Sequence, residues 1–181
     1  MELLERQSTN RVTLRLQNDV LEVLKRDAAQ MDMTLNAFIN KVLNKTILYE
    51  ETVNAILNVV FPHDFFLSIM DKLKESDIEE ISEKGSGVVQ KLFNILGTQY
   101  DVDHVIHNYF TIVGKYCNWF EFSYKISHRK CRLVFCSDTN NQKWVLFLKL
   151  YIKSILESLQ VVMVSESQHD GIIVFEFVYD S

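Results

Sequence analysis

The sequence predicts an α+β chain: an N-terminal strand-helix-helix module, a helical segment, and a C-terminal domain ordered β-hairpin, helix, β-hairpin. Three observations predict it. Residues 11–16, Arg-Val-Thr-Leu-Arg-Leu, alternate polar and apolar, the period of a strand with one buried face. From residue 18 to 116 apolar side chains recur mostly at helical spacing. Beyond residue 117 the pattern turns to short β-branched and aromatic runs around one strongly amphipathic stretch at 141–159.

Each element follows from local chemistry. Asn18 or Asp19 is expected to cap a first helix carrying Val20, Leu21, Leu24, Ala28 and Met31 at helical intervals. Asp32 and Met33 make a short turn. Thr34 is expected to N-cap a second helix that gathers Leu35, Phe38, Ile39, Val42 and Leu43 on one face. A connecting helix is expected over 49–61, with Val53, Ile56, Leu57 and Val60 in phase, ending before Pro62. Helical periodicity resumes in 63–74, in 77–97 with a break at Gly85-Ser86-Gly87, and in 101–116. Strands are expected at 118–126, 130–136, 160–166 and 172–179, the last two joined through His169-Asp170-Gly171. The helix at 141–159 places Trp144, Phe147, Leu148, Tyr151, Ile152, Ile155 and Leu156 on its buried side. The expected domains are 1–48 and 62–181, joined by the helix at 49–61.

Composition bounds the class. With 181 residues, 48% hydrophobic and 24% charged, the chain has material for a packed core and no stretch suited to a membrane span. The N-terminal Met-Glu-Leu-Leu-Glu-Arg lacks a basic region followed by an apolar core, so no secretory signal is expected. Cys117, Cys131 and Cys136 form an odd set without zinc-ribbon spacing, which suits a reducing, cytoplasmic setting. The net charge of -5 argues against a nucleic-acid partner when taken globally. Locally the balance reverses. Arg6, Arg11, Arg15, Lys25, Arg26, Lys41 and Lys45 face only Asp19, Glu22, Asp27 and Asp32, a local +3.

The short N-terminal strand cannot stand alone, because its backbone groups and the apolar face of Val12, Leu14 and Leu16 need partners. Pairing with the same strand of a second chain solves both problems. A two-stranded antiparallel ribbon of that kind fits the major groove of B-DNA, with Arg11, Thr13 and Arg15 facing outward. Arginine bonds guanine O6 and N7 in a bidentate manner, and threonine contacts bases through its hydroxyl or methyl. Thr34, at the start of the second helix, offers a hydroxyl and free backbone N–H groups to a phosphate.

Residues 11–47, RVTLRLQNDVLEVLKRDAAQMDMTLNAFINKVLNKTI, resemble the CopG/Arc/MetJ class of ribbon-helix-helix transcription factors. The resemblance implies an intertwined homodimer bound to double-stranded DNA, with Arg11, Thr13 and Arg15 reading bases. It also implies a phosphate clamp made by Thr34 with the backbone of Leu35 and Asn36. Two positions depart from the usual pattern: Asp32 stands where a glycine is usual between the helices, and Gln17 where a proline often follows the strand.

In the second domain, His104 and His107 lie three apart on a helix and are candidate metal ligands with Asp101 or Cys117. Solvated or hydrogen-bonded histidines explain the pair more simply, so no metal or cofactor is expected. His128, Cys131 and Cys136 read better as hairpin residues than as ligands, the two cysteines facing opposite sides of a strand. Asp77, Glu79, Glu80 and Glu83 read as a solvated acidic face. No phosphate-cradling glycine loop, nucleophile elbow or His-Glu-x-x-His helix is present, so no enzymatic activity is expected. The aromatic run from Trp119 to Tyr151 reads as core, with a small-molecule pocket or a second dimer face as the sharper alternatives.

The sequence therefore leads to a cytoplasmic, nucleoid-associated, prokaryotic-type regulator of transcription, such as a repressor. It is expected to be dimeric through its ribbon, or tetrameric if the C-terminal domain also oligomerises. That domain would oligomerise or sense a small-molecule effector. The alternatives are an antitoxin whose C-terminal domain binds a toxin, a metal- or ligand-responsive repressor, and a scaffold whose N-terminal module only dimerises.

Overall fold

A computed structural model describes residues 12–50, 62–139 and 141–179. The chain mixes helices with one four-stranded antiparallel sheet and divides into two compact units between Asn44 and Lys45. Most of the connecting helix expected at 49–61, from 51 onward, lies outside the described residues.

In the first unit, residues 12–17 carry no regular secondary structure, although strand alternation is evident in their sequence. The physical reason is the one that makes a lone strand untenable: a ladder needs a second strand, and the described residues of this unit include none. Helix α1 spans Asn18–Gln30 and starts from Gln17, without a side-chain cap. This corrects the expected capping by Asn18 or Asp19. Helix α1 ends in a Schellman arrangement. The N–H of Met33 reaches Ala28 O at 2.9 Å and that of Asp32 reaches Ala29 O at 3.2 Å. Asp32 closes it with φ of 51°, taking the left-handed conformation usually left to glycine. Helix α2 (Leu35–Lys45) begins where Thr34 Oγ1 accepts the Ala37 N–H at 3.2 Å. Among the described residues of this unit, only Ala28 and Phe38 are fully buried.

The second unit opens with a π-helical turn, Thr46–Glu50, whose Tyr49 stacks on Tyr116 and accepts the Cys117 thiol at 3.3 Å. Helices α3 (His63–Lys72), α4 (Glu75–Glu83) and α5 (Gly85–Leu96) follow. The break expected at Gly85-Ser86-Gly87 falls instead at Lys84, and Gly85 is already helical. Its lack of a side chain serves packing, since a Cβ there would overlap the buried Tyr151 ring. The helical run α6, residues 102–116, winds as α over Val102–His104, as π over Val105–Phe110 and as α again over Thr111–Tyr116.

Strands β1 (Glu121–Ser127) and β2 (Lys130–Cys136) form one hairpin. Helix α7 (Gln142–Ser158) separates it from the second hairpin, β3 (Val162–His169) with β4 (Ile172–Val178). The central pair is β2 and β4, so the strand order is β1-β2-β4-β3. The turn into β4 has two central residues, Asp170 (φ 45°) and Gly171 (φ 80°), both left-handed as a type I′ hairpin turn requires. One sheet face is buried: Cys131, Leu133 and Phe135 on β2 and Ile173, Phe175 and Phe177 on β4 alternate inward. They share a core with α7, which buries Trp144, Phe147, Leu148, Tyr151, Ile152, Ile155 and Leu156. Helices α4 and α5 pack on α7 in turn. Most of the aromatic run expected to be core is core, with Tyr124 exposed: Trp119 packs edge-on against Trp144 and Tyr151, and Phe135 against Phe110 and Phe120. Among the described residues, those on the opposite sheet face are exposed or half-buried.

Candidate nucleic-acid interface

In the 12–17 segment Thr13 and Arg15 alternate in sequence with Val12, Leu14 and Leu16, and all five are exposed. Thr13 and Arg15 are exposed, and neither has a hydrogen-bond or ion-pair partner among the described residues. The neighbouring cations are engaged locally: Lys25 with Glu22 at 2.9 Å and Arg26 with Asp27 at 3.0 Å. Arg11 lies outside the described residues.

The apolar residues of the segment are open to solvent. Val12 is 74% exposed, Leu14 52% and Leu16 39%, and on the helices Val20, Val23, Met31, Val42 and Leu43 are exposed as well. Among its described residues this unit buries two and exposes eight large apolar ones, so their hydrophobic demand is not met within it.

At the N-terminus of α2, the Thr34 side chain and carbonyl take the N–H groups of Ala37 and Phe38. The N–H groups of Leu35 and Asn36 belong to the first turn and have no partner within the helix. Thr34 and Asn36 are exposed and Leu35 is half-buried. The Thr34 hydroxyl accepts one bond here and retains its own proton for an anion. The helix dipole adds partial positive charge at the same end.

The histidines in the second unit are held apart in role. His104 Nδ1 lies 2.8 Å from one Asp101 oxygen and 2.9 Å from the other, while Asp101 also accepts the His104 backbone N–H as the N-cap of α6. His107 Nδ1 lies 3.0 Å from the Tyr124 hydroxyl on β1. The π-helical winding that starts at Val105 alters the angular step between them. Among the described residues, no three His, Cys, Asp or Glu converge as metal ligands. Cys131 is buried and Cys136 half-buried, on opposite faces of β2.

No family model, curated protein or solved structure matches this chain. The functional reading therefore stands on the residues alone.

No helix among the described residues is long and apolar enough to cross a membrane. Glu79, Glu80 and Glu83 are exposed on α4, with Glu80 paired to Lys84 at 2.8 Å. Lys125, Lys130 and Arg132, on the open sheet face, are not among the sequence candidates. The signal that marks them is the basic density of Lys-Ile-Ser-His-Arg-Lys-Cys-Arg at 125–132.

Proposed function

We propose that this chain is a sequence-specific DNA-binding regulator of transcription that acts as a dimer or tetramer, its paired N-terminal segments inserted as a ribbon in the major groove. One observation carries the reading. In a segment of strict alternation, the apolar residues Val12, Leu14 and Leu16 are solvent-exposed and the polar Thr13 and Arg15 have no partner among the described residues. Pairing with a second copy buries the first set and aligns the second set, doubled, on one surface. Arg11, Thr13 and Arg15 then meet base edges, and Thr34 with the Leu35 and Asn36 backbone grips a phosphate. The domains are 1–48 for DNA binding and dimerisation, 49–61 as connector and 62–181 for oligomerisation or effector sensing, in a cytoplasmic, nucleoid-associated protein.

Three outward side chains per chain supply modest, salt-sensitive affinity. Two ribbons joined through the second units would raise it and impose a fixed half-site spacing. An antitoxin is disfavoured by the ordered core of the second unit, which is unlike a short toxin-binding tail.

Selection from a random duplex library tests the proposal. It should enrich repeated half-sites, and Arg15→Ala should weaken binding to the selected site by about tenfold or more, the equivalent of ~1–3 kcal/mol. Failure of the chain to retain any duplex at low salt, while remaining dimeric, would leave a scaffold and sink the DNA reading.

A further inference from the structure

Across the open face of the sheet, Lys125 on β1 stands directly opposite Arg132 on β2, and Arg132 directly opposite Glu176 on β4. Ser127 faces Lys130 one step along the same face. Like charges placed opposite each other destabilise a ladder, so Lys125 beside Arg132 is a cost to the isolated fold. Arg132 Nε lies 3.5 Å from Glu176 Oε1, and the Ser165 hydroxyl donates to Glu176 Oε2 at 3.3 Å. Neither Lys125 nor Lys130 has any such partner among the described residues. Three cations against one carboxylate leave a local excess of two positive charges, in a chain whose net charge is -5.

This charge lines a concavity. Lys125, Ser127, Lys130, Arg132, Val164 and Glu176 surround a groove of about 220 Å³. Val164 reaches it through an irregularity in β3, where the register with β4 shifts between Met163 and Ser165 and leaves Val164 without a ladder partner. Bulges of this kind commonly re-aim a side chain at the margin of a binding site.

We propose that this groove binds a compact dianion of the phosphate-monoester class. Lys125 and Lys130 supply the two unneutralised charges, which match the charge of a phosphate monoester near neutral pH. Glu176 holds Arg132 by its Nε, so the terminal guanidinium nitrogens remain to donate to phosphate oxygens in the planar fork suited to them. The Ser127 hydroxyl adds a donor, and Val164 gives the carbon skeleton an apolar wall. Ligand binding removes the repulsion that the empty ladder carries. The site lies wholly within the second unit and stands apart from the DNA reading.

The test titrates the full chain with ribose 5-phosphate, inorganic phosphate, ribose and a short DNA duplex, following backbone amide shifts by NMR. Ribose 5-phosphate should bind saturably with shifts centred on β1, β2 and residues 163–165; inorganic phosphate should bind the same residues more weakly, and ribose not at all. Lys125→Gln with Lys130→Gln should weaken ribose 5-phosphate at least tenfold, while Lys91→Gln on α5 should leave it unchanged. Unliganded Lys125→Gln should melt at or above the parent temperature, because a repulsion is removed; a lower melting temperature would contradict the uncompensated pair. Shifts scattered over unrelated lysines, no saturation with either phosphate, or an unaltered affinity in the double variant would each overturn the proposal. Shifts in the groove with the duplex but not with ribose 5-phosphate would overturn it too, assigning the face to a nucleic-acid backbone.

Discussion

The hydroxyl oxygens of Tyr109, on the π-helical part of α6, and Tyr151, on α7, lie 2.5 Å apart in the second unit. Burial pushes the Tyr151 hydroxyl up to about 12 and that of Tyr109 well above its usual 10.0, so both are neutral and share one hydrogen bond. Each hydroxyl is the other's hydrogen-bond partner. Tyr151→Phe should therefore leave Tyr109 unsatisfied and destabilise the fold by about 1–3 kcal/mol. The double variant Tyr109→Phe with Tyr151→Phe should recover most of that loss, since neither hydroxyl is then stranded. A double-mutant cycle by chemical denaturation measures the coupling. Strictly additive losses would show that the two hydroxyls do not depend on each other.

Asp32 holds a left-handed φ of 51° at the end of α1, where a side chain costs conformational energy that glycine avoids. Its exposed carboxylate sits beside no cation among the described residues that would compensate. Asp32→Gly should stabilise the first unit by about 0.5–1 kcal/mol, the backbone relief exceeding the added freedom of the unfolded chain. Thermal unfolding followed by circular dichroism reads the change; a lower melting temperature would mean that the aspartate makes a compensating interaction.

Leu14 is 52% exposed at the middle of the 12–17 segment. In the proposed ribbon it is buried against the partner chain, so Leu14→Glu places two carboxylates in the shared core. The chain should then sediment as a monomer and lose duplex binding, while Thr13→Ala should remain dimeric. A dimer that persists unchanged in Leu14→Glu would remove the N-terminal segment from the interface.

Glu166 on edge strand β3 is gripped by two lysines of α7, Lys153 at 2.9 Å and Lys149 at 3.4 Å. The hydrogen bond from Lys153 is the main reason its carboxyl is held below the usual 4.5, and the same bond raises Lys153 above its usual 10.5. A depressed carboxylate stabilises the fold fully above its unfolded value near 4.5 and loses that contribution as pH falls through the lower folded value. Lys153 behaves in mirror fashion, its contribution present below 10.5 and lost as pH rises through the raised value. The three groups are partly exposed, so the effect is at most about 1 kcal/mol. Glu166→Gln should lower stability at pH 7 slightly and flatten its decline below pH 4.5. Denaturant midpoints between pH 3 and 7 that keep the parent's acid slope would show that Glu166 does not contribute.

Much of the second unit is legible in its residues. The β-branched and aromatic runs at 130–136 and 172–179 coincide with β2 and β4 to within a residue, and Asp170-Gly171 marks its turn by the chemistry of positive φ. Strand β1 begins at Glu121, three residues later than its aromatic pattern suggests, after Asn118 turns through φ of 53°. Composition does not reveal that turn. The π-helical winding within α6 is equally silent, because its residues differ little in type from those of an α-helix.

Of the candidate sites, Thr34 is where its local pattern puts it, as the acceptor for the Ala37 N–H. His104 and His107 show the limit of spacing as a guide. Three residues apart in sequence, they answer to Asp101 and to Tyr124, the second a residue on another element.

By itself the sequence determined what is local: the period of each element, the threonine cap, the tight turns, and the alternation that leaves Val12, Leu14 and Leu16 seeking a partner. Those features arise from interactions within a few residues, so neighbouring identities suffice to specify them. Tertiary structure alone decided which distant groups meet. Tyr109 finds Tyr151 across 42 residues, Glu166 reaches two lysines of α7, and Lys125 confronts Arg132 because the hairpin register sets them opposite. Such pairings depend on strand register and helix rotation, which minimise the energy of the whole core and are written in no single segment of the chain.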